Sequence, residues 1–158
     1  LSQGTMNNLT FGNDQVQYYE TLCSGAPAGP GFNGAAAIHT HMTNSRLTDP
    51  EILETRYPVL LKSFGIDRGS GGKGKWNAGD GIHRTIEFLE PLTFALLTGY
   101  RNLLIPGING GSNGRKGLNI LEKTGEKRQI LPNCCENTAE KGDCLTIITP
   151  TGGGYGPL

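Results

Sequence analysis

Apolar and polar residues alternate most cleanly over 82–89. Ile82, Arg84, Ile86 and Phe88 fall on one face there, and His83, Thr85, Glu87 and Leu89 on the other. A period of two predicts a half-buried strand. Partial alternation, with Tyr, Val and Thr enriched, predicts a strand over 15–23 carrying Tyr18, Tyr19 and Glu20, and 59–66 after Pro58, 92–98 after Pro91 and 144–149 read as further strands. Residues 119–122 and 127–131 flank Thr124-Gly125 as a hairpin. One helix is predicted at Thr48-Asp49-Pro50-Glu51: Asp49 can cap, Pro50 suits the first turn, and Glu51 complements the helix dipole. Pro58 keeps that helix short by pushing Tyr57 toward an extended backbone. Between these elements lie glycine-rich segments at 24–34, 67–81 and 107–117, with a tail at 151–156 that reads as a ligand-approach loop or a flexible end. The expected fold is mainly β, a β-rich α+β arrangement in one Gly-rich domain with one short helix. No period of 20 to 50 residues suggests a solenoid.

Composition sharpens this picture. The 158 residues include 25 Gly and 9 Pro, an excess that strands and turns absorb far better than helices do. Hydrophobic residues make up 35%, enough for one core and not two. Formal net charge is +0, which argues against a nucleic-acid partner, and no apolar run approaches the ~20 residues a bilayer requires. Cys23, Cys134, Cys135 and Cys144 form neither a C-x-x-C pair nor a regular framework, so free thiols and a cytoplasmic location are expected. The chain opens on Leu1 and runs through Ser-Gln-Gly-Thr-Met-Asn-Asn, which reads as mid-domain turn chemistry and so as part of a larger chain.

Several residues could carry chemistry. Gly69-Ser70-Gly71-Gly72-Lys73-Gly74-Lys75 begins like a phosphate-binding loop, but Trp76 stands where a hydroxyl should hold Mg²⁺ and no helix follows. A hairpin with solvated lysines is the better account. His39 and His41, at i and i+2, would share a face on a strand, either to bind a metal or to join a polar network. Arg46 could grip a carboxylate or phosphate, or pair with Asp49 or Glu51 at the helix start. Glu20 could act as an acid or base if buried, or be an ordinary exposed carboxylate.

Taken in order, Ser2-Gln3-Gly4-Thr5-Met6-Asn7-Asn8, Tyr18-Tyr19-Glu20-Thr21 and the run from His39 to Glu51 form a recognisable pattern. It continues through Arg56-Tyr57-Pro58-Val59, Gly69 to Gly74, Gly79-Asp80-Gly81, Asn109-Gly110-Gly111 and Thr149 to Gly156. The chain resembles the hydantoinase B / 5-oxoprolinase family over nearly its whole length, and residues 1–158 resemble the C-terminal portion of the B-type region. The resemblance implies part of an ATP-dependent cyclic amide hydrolase that opens 5-oxoproline or a hydantoin through a phosphorylated intermediate. An A-type ATPase partner, holding ATP with Mg, would make that intermediate. Any divalent metal would sit in an N-terminal portion outside this sequence, so no metal ligand is carried onto His39 or His41. The expected catalytic residues are Glu20, His39, His41, Arg46 and Asp49, and Asn7, Asn8 and Asn44 are expected to bind substrate. Thr98-Gly99-Tyr100-Arg101 departs from the family's usual Thr-Glu-Arg-Arg, losing an acid and a base. Two other readings stand beside the hydrolase: a structural docking module for the ATPase part, and a subunit of an acetone- or acetophenone-type carboxylase. The isolated chain is expected to hydrolyse no ATP.

Overall fold

The computed structural model describes residues 2, 6–41, 43 and 45–158; Asn44, one of the expected substrate-binding residues, lies outside the described residues, as do Gln3, Gly4, Thr5 and Met42. Among the described residues, nine strands and one helix follow the order β1 (Asn7–Gly12), β2 (Gln17–Thr21), α1 (Pro50–Arg56), β3 (Val59–Ile66), β4 (Ile82–Phe88), β5 (Leu92–Thr98), β6 (Leu118–Glu122), β7 (Gln129–Leu131), β8 (Cys134–Ala139) and β9 (Cys144–Ile148). Two antiparallel sheets result, β2-β1-β5-β8 and β3-β4-β9-β6-β7. The fold is mainly β.

Alternation decides what lies between the sheets. Leu9 and Phe11 of β1 and Leu92, Phe94 and Leu96 of β5 turn inward toward Ile82, Ile86 and Phe88 of β4 and Leu145 and Ile147 of β9. Phe88 meets rings from the opposite sheet, stacked on Phe94 at 5.7 Å and edge-on to Phe11 at 6.1 Å. The inner faces therefore close one core, as in a β-sandwich. Helix α1 starts as its sequence requires: the Asp49 carboxylate accepts from the Glu51 amide at 3.0 Å, with Pro50 in the first turn. Replacing Asp49 by alanine removes this cap and should cost about 1 kcal/mol in urea unfolding. An unchanged midpoint would show that packing of Leu53 alone holds the helix.

Three features differ from the sequence reading. Asn7 and Asn8 begin strand β1 rather than a turn, and β8 carries the polar run Cys-Cys-Glu-Asn-Thr-Ala. Residues 35–41 form no strand, since Ala37 and His41 take φ +51° and +58°, so the side chains there do not alternate. The tail is neither flexible nor a ligand loop: Gly72 donates to Gly152, Gly154 to Ser112, and Tyr155 and Trp76 exchange backbone bonds. The glycine loops and the tail interlock backbone to backbone. A Cβ on Gly72 would strike Gly154 and Ser112, and one on Gly74 would strike Tyr155 and Gly156. No space remains beside these glycines for a phosphate group, and Lys75 lies over the Trp76 ring at 4.7 Å. This loop does not fit an ATP cradle.

Candidate functional site

A cavity of about 670 Å³ opens where the end of β2, the chain before α1 and the β3–β4 pair meet. Cys23, His39, Ser45, Arg46, Phe64 and Ile82 line it. The irregular 35–41 segment brings His39 in by pairing with the strand side of the loop, Ile38 donating to Ser24 at 2.8 Å. Both ring nitrogens of His39 are shielded from solvent and have no hydrogen-bond partner. Burial also lowers its pKa below the ordinary 6.5, so the ring is neutral at pH 7 and one nitrogen is a free acceptor. The linkage has a definite sign. A folded value below the unfolded one contributes stability above pH 6.5, and this is lost as pH falls below that value.

Arg46 lies exposed on the cavity wall and forms no ion pair with Asp49 or Glu51. Its guanidinium is therefore available to an anion. Cys23 also lines the cavity, and burial pushes its thiol up and keeps it protonated.

Glu20 is placed differently. It is 5% exposed and pairs with Arg84, itself 2% exposed, Nε to Oε1 at 2.9 Å. The approach lies off the hydrogen-bond direction, so the attraction is mainly coulombic, and Arg84 Nη2 has no partner. The Tyr18 hydroxyl lies 2.8 Å from Glu20 Oε2 and 2.9 Å from Thr48 Oγ1. Burial raises the Glu20 pKa while Arg84 opposes the rise. Because Glu20 belongs to β2 and Arg84 to β4, the pair joins the two sheets. The Arg84 guanidinium carbon also lies 5.6 Å from the Phe64 ring, which connects the pair to the cavity wall.

The other expected residues are dispersed. His41 is exposed, with Nε2 2.7 Å from Ser2 Oγ, and does not line the cavity. Asp49 caps α1. Asn7 is buried and accepts from Arg101, and Asn8 accepts from Thr21 at 2.9 Å. Of the expected residues, His39 and Arg46 share the cavity, and Glu20 lies close behind it. Arg84, Tyr18 and Cys23 were not anticipated. The signal for Arg84 was present: an arginine on the apolar face of an alternating strand requires a buried partner. Among the described residues, no cluster of three His, Cys, Asp or Glu side chains could hold a metal ion.

The chain is 46% identical over 155 residues to 5-oxoprolinase of Dictyostelium discoideum, covering 98% of this chain and 12% of that protein. It is 48% identical over 155 residues to 5-oxoprolinase 1 of Arabidopsis thaliana, with the same coverage. The chain thus spans about an eighth of the length of these relatives. Its fold matches the ATP-dependent caprolactamase of Pseudomonas jessenii with a TM-score of 0.82 at 24% identity, over 97% of this chain and 30% of that one. It also matches acetone carboxylase in its nucleotide-free form with a TM-score of 0.72 at 19% identity, over 98% of this chain and 26% of that one. The family model described as Hydantoinase B/oxoprolinase matches residues 1–158, and the chain belongs to that family.

Proposed function

We propose that this chain forms the C-terminal portion of the B-type region of a cytoplasmic, ATP-dependent cyclic amide hydrolase that opens 5-oxoproline or a hydantoin. The observation that carries the reading is the convergence of a neutral, unpartnered His39 and an unpaired Arg46 on one cavity, in a chain nearly half identical to two 5-oxoprolinases. ATP with Mg, held by an A-type ATPase partner, supplies the phosphoryl group that activates the ring.

On this chain, Arg46 holds the anionic end of the bound molecule by charge-assisted hydrogen bonds, and His39 accepts a proton from the attacking water. Ile38, Leu47, Phe64 and Ile66 give the cavity wall beside these two groups its apolar surface. Glu20 and Arg84 fix the wall behind them, and Asp49 sets the helix that follows Arg46. Cys23 stays protonated and takes no nucleophilic part. His41 lies outside this arrangement.

The test is ATP-dependent ring opening by the full-length protein, with 5-oxoproline and with a hydantoin. His39→Ala should lower kcat by roughly 10²–10⁴-fold with the fold intact. Arg46→Ala should mainly raise KM, and His41→Ala should leave turnover near the wild-type level. The acid limb of the kcat/KM profile should lie below pH 6.5, because burial disfavours the imidazolium. Turnover that survives His39→Ala moves the proton transfer off this chain.

A second reading, a docking module for the ATPase part, draws on the exposed apolar side chains Ile38, Phe64 and Ile66 beside the cavity. In that case both His39→Ala and Arg46→Ala keep full turnover.

A further inference from the structure

A second group of residues lies away from this cavity and plays no part in the chemistry above. Arg101, just beyond β5, is 9% exposed and reaches inward between the sheets. Its Nη1 donates to Asn7 Oδ1 on β1 at 2.7 Å and to the Gly99 carbonyl at 2.7 Å. Nε and Nη2 donate to Asn119 Oδ1 on β6 at 3.1 and 2.8 Å. A guanidinium has five N–H groups. Four are used here, all on neutral acceptors, and the fifth, on Nη2, has none among the described residues. No carboxylate pairs with Arg101.

The surrounding chain is shaped to this group. A Cβ on Gly117 would come within 2.6 Å of Nη1, so the bare backbone there packs directly against the guanidinium. Burial lowers the Arg101 pKa to about 10, still well above neutrality. A full positive charge is therefore held in a poorly solvated place without a counter-charge, an arrangement that costs free energy unless an anion completes it. The way in is open. Arg101 lines a cavity of about 330 Å³ together with Tyr100, Asn102, Leu103 and Asn133. No acidic side chain lines that cavity, and the two Asn amides can donate to an anion there.

We propose that Arg101 and this cavity form a binding site for a small carboxylate- or phosphate-bearing ligand. Nη2 donates its remaining N–H to one ligand oxygen, and the Asn102 and Asn133 amides donate to others. The cavity's size fits a small ion or the acidic end of a metabolite and not an extended chain. An inter-sheet strut alone would need only hydrogen-bond donors. The uncompensated charge beside an open cavity is what points to an anion.

The experiment is thermal unfolding of the protein at neutral pH and constant ionic strength, with inorganic phosphate or acetate replacing chloride. Binding should raise Tm by about 3–5 °C near ten times the dissociation constant. A rise with phosphate alone, with acetate alone or with both supports the site, and the pattern identifies the ligand chemistry. Anions such as phosphate also stabilise proteins without a site. Asn102→Asp separates the two effects, because Asn102 is exposed and the new carboxylate supplies the missing counter-charge without disturbing the core. That variant should start at a higher Tm and lose the anion response. No Tm change with either anion in the wild type, or an equal change in Asn102→Asp, would overturn the proposal.

Discussion

Replacing Arg84 by methionine should destabilise the protein by about 3–5 kcal/mol, because it leaves the Glu20 carboxylate buried without its counter-charge. Glu20 is 5% exposed, and its remaining partner, the Tyr18 hydroxyl, cannot neutralise it. Glu20→Gln should cost somewhat less, since the amide keeps an acceptor for Tyr18 while Arg84 loses its ion pair. The double variant Glu20→Gln/Arg84→Met should cost clearly less than the sum of the two, which is the mark of direct coupling. Urea unfolding of the four proteins measures this cycle. Strict additivity would mean that the two groups, although 2.9 Å apart, act independently. The cycle also bears on function: with Arg84 gone, Phe64 loses the guanidinium beside its ring and the cavity wall loosens.

Gly79→Ala is expected to be comparably severe, at about 3 kcal/mol or more, for a different reason. A Cβ at position 79 would overlap the Ala35 carbonyl and its carbon, and Gly79 is fixed there by donating to Ala26 at 2.8 Å. The obstructing atoms are backbone, so no rotamer change relieves the overlap, and the 24–38 loop must shift. That loop leads into His39. Placed in the full-length protein, the variant should therefore lose the ring-opening activity proposed above at temperatures where it is still folded, as read by activity and near-UV circular dichroism on one sample. Gly31→Ala is the matched control. Its Cβ would meet nothing within 4 Å, so only the cost of its φ of +92° remains. Equal effects at the two positions would show that backbone conformation matters here and loop interlocking does not.

Both predictions concern positions whose importance the sequence signalled only in part. In β4, the placement of Ile82, Arg84, Ile86 and Phe88 on one face was legible, and all four are buried. What the arginine pairs with was not. Glu20 is 64 positions away, and nothing local distinguishes it from the other carboxylates. The reverse holds for β8, which lies at a sheet edge with only Ala139 buried. An edge strand exposed on most positions carries no alternating apolar signal, so its polar residues read as loop. Asn7 misled for a related reason: an amide that begins a strand looks like turn chemistry until Arg101 is seen to donate to its oxygen inside the sandwich.

The candidate site divides along the same line. The local chemistry of Thr48 to Glu51 determined the helix and its cap without help from the rest of the chain, because capping is a matter of three or four consecutive residues. The strands 59–66 and 92–98 were likewise legible at the bounds they take, each beginning just after a proline. The motif order also determined the family, and the matches over residues 1–158 agree with it. Tertiary structure alone decided which polar residues meet. It separated His39 from His41 by placing His41 in a left-handed conformation, brought Arg46 to the cavity, and set Glu20 against Arg84 across two sheets. Strand periodicity fixes which face a side chain takes. Which partners it finds there depends on long-range register and on how the glycine loops close, and these are properties of the whole chain rather than of any segment.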